Sequence, residues 1–161
     1  MSSNNTPPQP GRVDVRGPRF TAWITLAVLL IALIVSPISP LAAAIVLGLQ
    51  AVVFAIGAIG GPRRHPYGRV FAKLVAPRLG PVKEREPVPP LKFAQLVGLI
   101  FAVSGAAGFA AAGGSTAGLW VGIIATAFAI VAAFLNAAFG ICLGCQLYPL
   151  VARFRRTPHP A

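Results

Sequence analysis

Both cysteines of the chain, Cys142 and Cys145, stand three residues apart in the stretch FGICLGCQLYP from Phe139 to Pro149. On a helix that spacing puts two side chains on one face, with Cα atoms roughly 5 to 6 Å apart, inside the window a disulfide requires. Such a pair can exchange disulfides, take up and release a sulfane sulfur, hold a metal, or fill space as small hydrophobes. If Gly140 breaks the apolar segment before it and a new turn starts at Cys142, the first thiol meets the positive end of that turn. Its pKa then falls and its thiolate fraction rises. Pro149 cannot donate to the carbonyl of Cys145, so a continuous helix bends there. The candidate catalytic residues are Cys142, as the attacking thiol, and Cys145, as the resolving one, with the roles open to reversal. Two thiolates do not complete a tetrahedral shell. His65 and His159 read as solvated loop residues without ligand spacing, so no metal and no cofactor is assigned.

The elements that must position these thiols are set by composition. The chain has 161 residues, of which 56% are hydrophobic and 11% charged, which is the profile of a membrane protein. A helix needs roughly 20 apolar residues to cross a hydrocarbon core of about 30 Å. Four segments are expected to do so, at about 20–38, 41–60, 93–112 and 118–139. The first is short and ends in SPISP, Ser36 to Pro40, which cannot continue a helix. It resembles a signal peptide in having arginines before it, but it lacks a small-residue cleavage site and reads as retained. The expected fold is an all-α, integral membrane four-helix bundle over residues 19–152. A disordered N-terminal tail (1–18) precedes it and a basic C-terminal tail (153–161) follows.

Charge orients the bundle. Of fourteen Lys and Arg, three lie in the N-terminal tail, eight in the loop between the second and third segments, and three in the C-terminal tail. The two short connections, Ser36 to Pro40 and Gly113 to Ser115, hold none. Basic flanks stay in the cytoplasm, so both termini, the central loop and the thiol pair are expected on the cytoplasmic side of the inner membrane. That compartment keeps ordinary thiols reduced, which argues against a permanent structural disulfide. The same topological rule explains the net charge of +11 without a nucleic-acid partner, and no aromatic stacking platform accompanies the basic residues. Anionic lipid headgroups are the expected partner for these charges.

In the central loop, Tyr67, Val70, Phe71 and Leu74 recur at helical spacing between Pro66 and Pro77, predicting a short helix that lies in the interface or packs on the end of the bundle. Pro81 to Pro90 reads as a stiff lead-in to the third segment. Small residues four apart (Gly57 and Gly61, Ser104 and Gly108, Gly118 and Gly122, Ala129 and Ala133) predict close helix contacts. No ionisable residue falls inside the four expected spans, which disfavours a proton-coupled transporter. Gln50, Ser104, Thr126 and Asn136 are expected to hydrogen-bond neighbouring helices.

In the order of these features the chain resembles an uncharacterised bacterial family of small integral membrane proteins, classed as a domain of unknown function. The resemblance rests on Arg19 and Phe20, on Gly60 to Arg64 followed by Pro66, Gly68 and Arg69, on Arg78 to Pro81, and on Lys92 to Gln95. Its most specific part is the closing NAxFGxCLGCxLY motif, Asn136 to Tyr148. It covers roughly Arg19 to Leu150 and brings no established activity. It does imply the company of thioredoxin-like and sulfurtransferase proteins. The expected function is a thiol–disulfide or sulfane-sulfur relay through a cytoplasm-facing CxxC. The alternatives are a non-catalytic membrane scaffold that docks a partner on its basic loop, or a cysteine-based metal site.

Overall fold

In a computed structural model the described residues are 11–155, without the side chain of Arg155. The expectations for residues 1–10 and 156–161, His159 included, lie outside them. The chain runs β1 (Arg12–Asp14), α1 (Arg16–Val35), α2 (Pro40–Gly60), a helical stretch α3, β2 (Arg85–Pro87), α4 (Val88–Ala111), α5 (Thr116–Phe139) and α6 (Leu143–Arg155). α3 comprises an α-helical turn (Pro66–Val70), a π-helical turn (Phe71–Val75) and a 3-10 turn (Ala76–Arg78).

Four of these helices, α1, α2, α4 and α5, have 20, 21, 24 and 24 residues and are apolar enough to cross a bilayer. The protein is therefore an all-α, multi-pass membrane bundle. Around it, α1 touches α2, α2 packs on α4, α4 on α5, and α5 returns to α1, so the four close into a ring. All four contribute to the central core, which includes Leu29, Ala43, Leu47, Phe109 and Ala129. The outer faces carry large apolar side chains in the open, such as Ile34 (69% exposed), Ile59 (79%) and Trp120 (58%). In water that surface would aggregate, and in lipid it is the expected one.

Lipid offers no hydrophobic drive for helices to associate, so contact between them depends on close approach. A methyl placed on Gly108 would stand 2.8 Å from the Gly118 carbonyl oxygen and collide with the Gly122 amide nitrogen. One placed on Gly122 would meet the Phe109 ring at 2.5 Å. The small-residue spacing in α4 and α5 thus marks a real helix contact. Gly57 differs, because what approaches it is the His65 side chain and not the backbone of a neighbouring span.

Helix boundaries depart from the sequence reading in instructive ways. The first membrane helix occupies Arg16–Val35, against the expected 20–38. It starts early because Asp14 Oδ1 accepts the Arg16 amide at 3.0 Å, filling an otherwise orphaned donor of the first turn. The segment expected to be a disordered tail therefore contains both β1 and the opening of α1. β1 pairs antiparallel with β2, Val13 opposite Glu86. Pro89 and Pro90 sit in the first turn of α4, where their missing amides cost nothing, and not in an extended lead-in. At the opposite end of the bundle, Ser39 and Ser115 cap α2 and α5 by accepting the amides of Ala42 (3.2 Å) and Gly118 (3.3 Å).

In α3 only Phe71 is buried, against Gly17 and Phe20 of α1, while Val70 and Leu74 face outward. Thr126 Oγ1 donates to the Gly122 carbonyl of its own helix at 2.7 Å, not to a neighbour as expected. Gln50, 1% exposed, accepts from the Tyr67 hydroxyl of α3 at 2.9 Å.

Candidate functional site

The site begins where α5 stops. Gly140 adopts a left-handed conformation (φ 70°, ψ 15°), and its amide donates to the carbonyl of Asn136. This conformation is open to glycine at little cost, so the break in the apolar run occurs at the residue best suited to it. The last carbonyls of α5 are met from outside: the Arg19 guanidinium donates to Ala138 at 3.1 Å and to Ala137 at 3.4 Å. A cation at a helix C-terminus also complements the helix dipole. α6 then departs from Leu143.

Cys142 is the residue that opens α6. Its carbonyl accepts the Gln146 amide at 3.1 Å and its Sγ accepts the Cys145 amide at 3.2 Å, so it takes the place a serine or aspartate cap usually holds. Cys142 and Cys145 are joined by a disulfide, with Cα atoms 5.2 Å apart. Both are half-buried and so neither sealed in the core nor fully free. Gly144 between them lets the turn press against α4, since a methyl there would lie 2.6 Å from Ala94 Cα. Tyr148 reaches back to Phe93, with ring centroids 6.0 Å apart. Pro149 sits inside α6 without ending it. The Cys142 sulfur thus stands on a helix amide at the N-terminal end of α6.

A cavity of about 280 Å³ abuts Cys142, with Gly144 and Leu147 also in its lining and Thr25, Gln95 and Asn136 among the others. A second cavity, of about 330 Å³, lies toward β1 and is lined by His65, Arg12 and Arg85 among others. Pro18, Thr21, Leu91 and Gln95 border both cavities.

His65 corrects the sequence reading. It was expected in solvent and is 2% exposed, enclosed where α3 begins against Gly57 and Gln95. Burial pushes its imidazole down to about 4, an effect the neighbouring Gln95 side chain offsets only in part. Neither ring nitrogen has a hydrogen-bond partner of good geometry, and Gln95 Oε1 and Gln50 Nε2 are likewise buried and unpartnered. A loop histidine outside any hydrophobic period carries no burial signal in sequence. In the structure Gly57 makes room for it, since a methyl there would stand 2.5 Å from His65 Cδ2. Among the described residues no three His, Cys, Asp or Glu side chains come together as a metal-ligand set.

The motifs picked out in sequence converge on this end of the molecule: Arg19 caps α5, Gln95 borders both cavities, and the closing motif supplies the break, the cap and the disulfide. No curated protein and no solved structure matches the chain. One family description does match, over residues 13–153, and the chain belongs to that family, the domain of unknown function DUF4395.

Proposed function

We propose that this protein is a thiol–disulfide relay of the cytoplasmic membrane, working through Cys142 and Cys145 with both termini in the cytoplasm. The observation that carries the reading is the bonded pair at the start of α6, with the Cys142 sulfur on a helix amide. In the reduced state the Cys142 thiolate attacks a partner disulfide, forms a mixed disulfide and releases one partner thiol. Cys145 then attacks the Cys142 sulfur, restoring the internal bond and releasing the second partner thiol. Two electrons and two protons pass to the partner, and the reverse sequence oxidises it. A persulfide donor enters the same cycle: the Cys142 thiolate attacks the terminal sulfur, taking it as a persulfide and releasing the donor as its thiolate. Cys145 then attacks the Cys142 sulfur, closing the internal disulfide and releasing hydrosulfide.

A soluble thioredoxin-like or sulfurtransferase protein is the proposed partner. The sidedness follows from eight basic residues in the central loop and none in the two short connections. Basic residues at that end also suit it to anionic headgroups, at roughly 1 kcal/mol for each one near the surface. α6 exposes Leu143, Leu147, Leu150 and Phe154 along one side, a pattern suited to lying in the headgroup layer.

Trapping tests the proposal. In Cys145→Ser the mixed disulfide cannot resolve, so a covalent partner should be captured through Cys142 and freed by reductant. If Cys145→Ser and Cys142→Ser both capture nothing and both behave like the parent, the relay reading is wrong.

A further inference from the structure

We infer that the cavity beside Cys142 is the binding site for a lipid-borne quinone that takes two electrons from the reduced pair. The inference rests on the thiol-relay reading and names the electron acceptor of the same site. Among the described residues, none lining this cavity is charged, yet it is not uniformly apolar. Thr25 offers a hydroxyl, and Asn136 an amide whose N–H groups donate to a carbonyl oxygen and whose own oxygen accepts from a hydroxyl. A quinone carbonyl accepts hydrogen bonds and a quinol hydroxyl donates them, so this mixture of donors and acceptor serves both redox states.

Part of the lining is aromatic: Phe101 and Phe128 stack at 6.1 Å between centroids with their planes 21° apart. That surface suits a flat ring. Access is from the bilayer, because Phe128 and Leu147 border the cavity and are also 61% and 47% exposed on the lipid-facing side. A lipid tail would use the apolar walls and leave the polar groups unmatched beside a disulfide. A charged soluble oxidant would find no counter-charge. The reaction balances: Cys142 and Cys145 lose two S–H bonds and gain one S–S bond, while the two quinone oxygens receive two electrons and two protons and leave as quinol.

The test uses full-length protein in lipid nanodiscs, reduced with dithiothreitol, freed of it, and mixed with decyl-benzoquinone or decyl-naphthoquinone. Quinone absorbance and remaining thiols are followed together. One quinol should form for every two thiols lost, and the reaction should vanish in Cys142→Ser. Ala132→Leu fills the cavity from α5 and should slow quinone reduction at least tenfold, with two thiols per chain still released by dithiothreitol as the check that the pair is intact. Asn136→Leu should raise the KM for quinone several-fold. Should quinone reduction proceed equally in the parent, Ala132→Leu and Asn136→Leu, the site is refuted. Failure of the parent to reduce quinone while still trapping a thiol partner refutes the quinone and leaves the relay standing. Failure of both reactions overturns both readings.

Discussion

At the scale of single residues, the chemistry depends on which sulfur meets the helix amide. Cys142 Sγ accepts from the Cys145 backbone, whereas Cys145 lies one turn into α6. In Cys145→Ser, the Cys142 thiol should titrate below the ordinary value of about 8.5, read as the pH dependence of its alkylation rate. In Cys142→Ser, the Cys145 thiol should titrate closer to that ordinary value. Equal rates at every pH would remove the basis for assigning attack to Cys142. His65 supplies an independent residue-scale prediction. Its folded pKa is about 4, against about 6.5 when unfolded, so the native state holds the neutral form. Stability should be complete above about pH 6.5 and fall by roughly 1.4 kcal/mol per unit as pH drops toward 4, on the order of 3 kcal/mol in all. Glu86 acts in the opposite sense: burial, and then Glu84, raise its pKa, so it adds stability as pH falls through the carboxylate range. The His65 effect is therefore read most cleanly near pH 6. Melting in detergent should show the slope in the parent and lose it in His65→Gln. An unchanged slope would mean that His65 is not held neutral.

At the scale of elements, the decisive contact is α6 on α4. A side chain at Gly144 would run into Ala94 backbone, so Gly144→Val should lift the start of α6 and slow exchange at the disulfide at least tenfold, with the bundle still folded. Gly108→Leu should act on the other axis, parting α4 from α5 and lowering bundle stability by about 1–3 kcal/mol or more while the thiols remain reactive in whatever protein survives. Circular dichroism and thiol kinetics on both variants separate the two effects. The long helices were legible in sequence because a bilayer fixes their length, and the closing glycine could be suspected because the last apolar run was too long to cross once. The far end of that run was not legible as α6. A new turn at Cys142 was expected, but its apolar positions, Leu143, Leu147, Leu150 and Phe154, are interleaved with Gly144, Pro149 and Arg153. Residues from 153 on read as a basic tail, so a helix running on to Arg155 gave no signal. Three-residue strands leave no periodicity either, so the pairing of Val13 with Glu86 had no sequence signal. Burial of His65 was hidden for a related reason: it follows Arg63 and Arg64 in a basic loop and is enclosed by residues distant in sequence.

At the scale of the whole molecule, the even number of membrane helices puts β1, α3, β2 and α6 at one end of the bundle, tied by contacts such as Arg16 to the Gly80 carbonyl (3.1 Å) and Arg19 to that of Ala138 (3.1 Å). A membrane-impermeant maleimide should therefore reach Cys142 and Cys145, after reduction, only when the inner face of the membrane is opened to it. Labelling of intact cells would reverse the proposed sidedness while leaving the bundle as it is. The account as a whole depends on the pair cycling between disulfide and dithiol in the folded protein. Equilibration of the nanodisc-held protein across a series of thiol–disulfide buffers, with free thiols counted by alkylation, tests this most directly. The predicted result is one reversible two-electron transition, shifting tenfold per about 30 mV, in which two thiols per chain appear together. A pair that stays bonded under excess dithiol without denaturant, or thiols that stay free across the whole range, would contradict it.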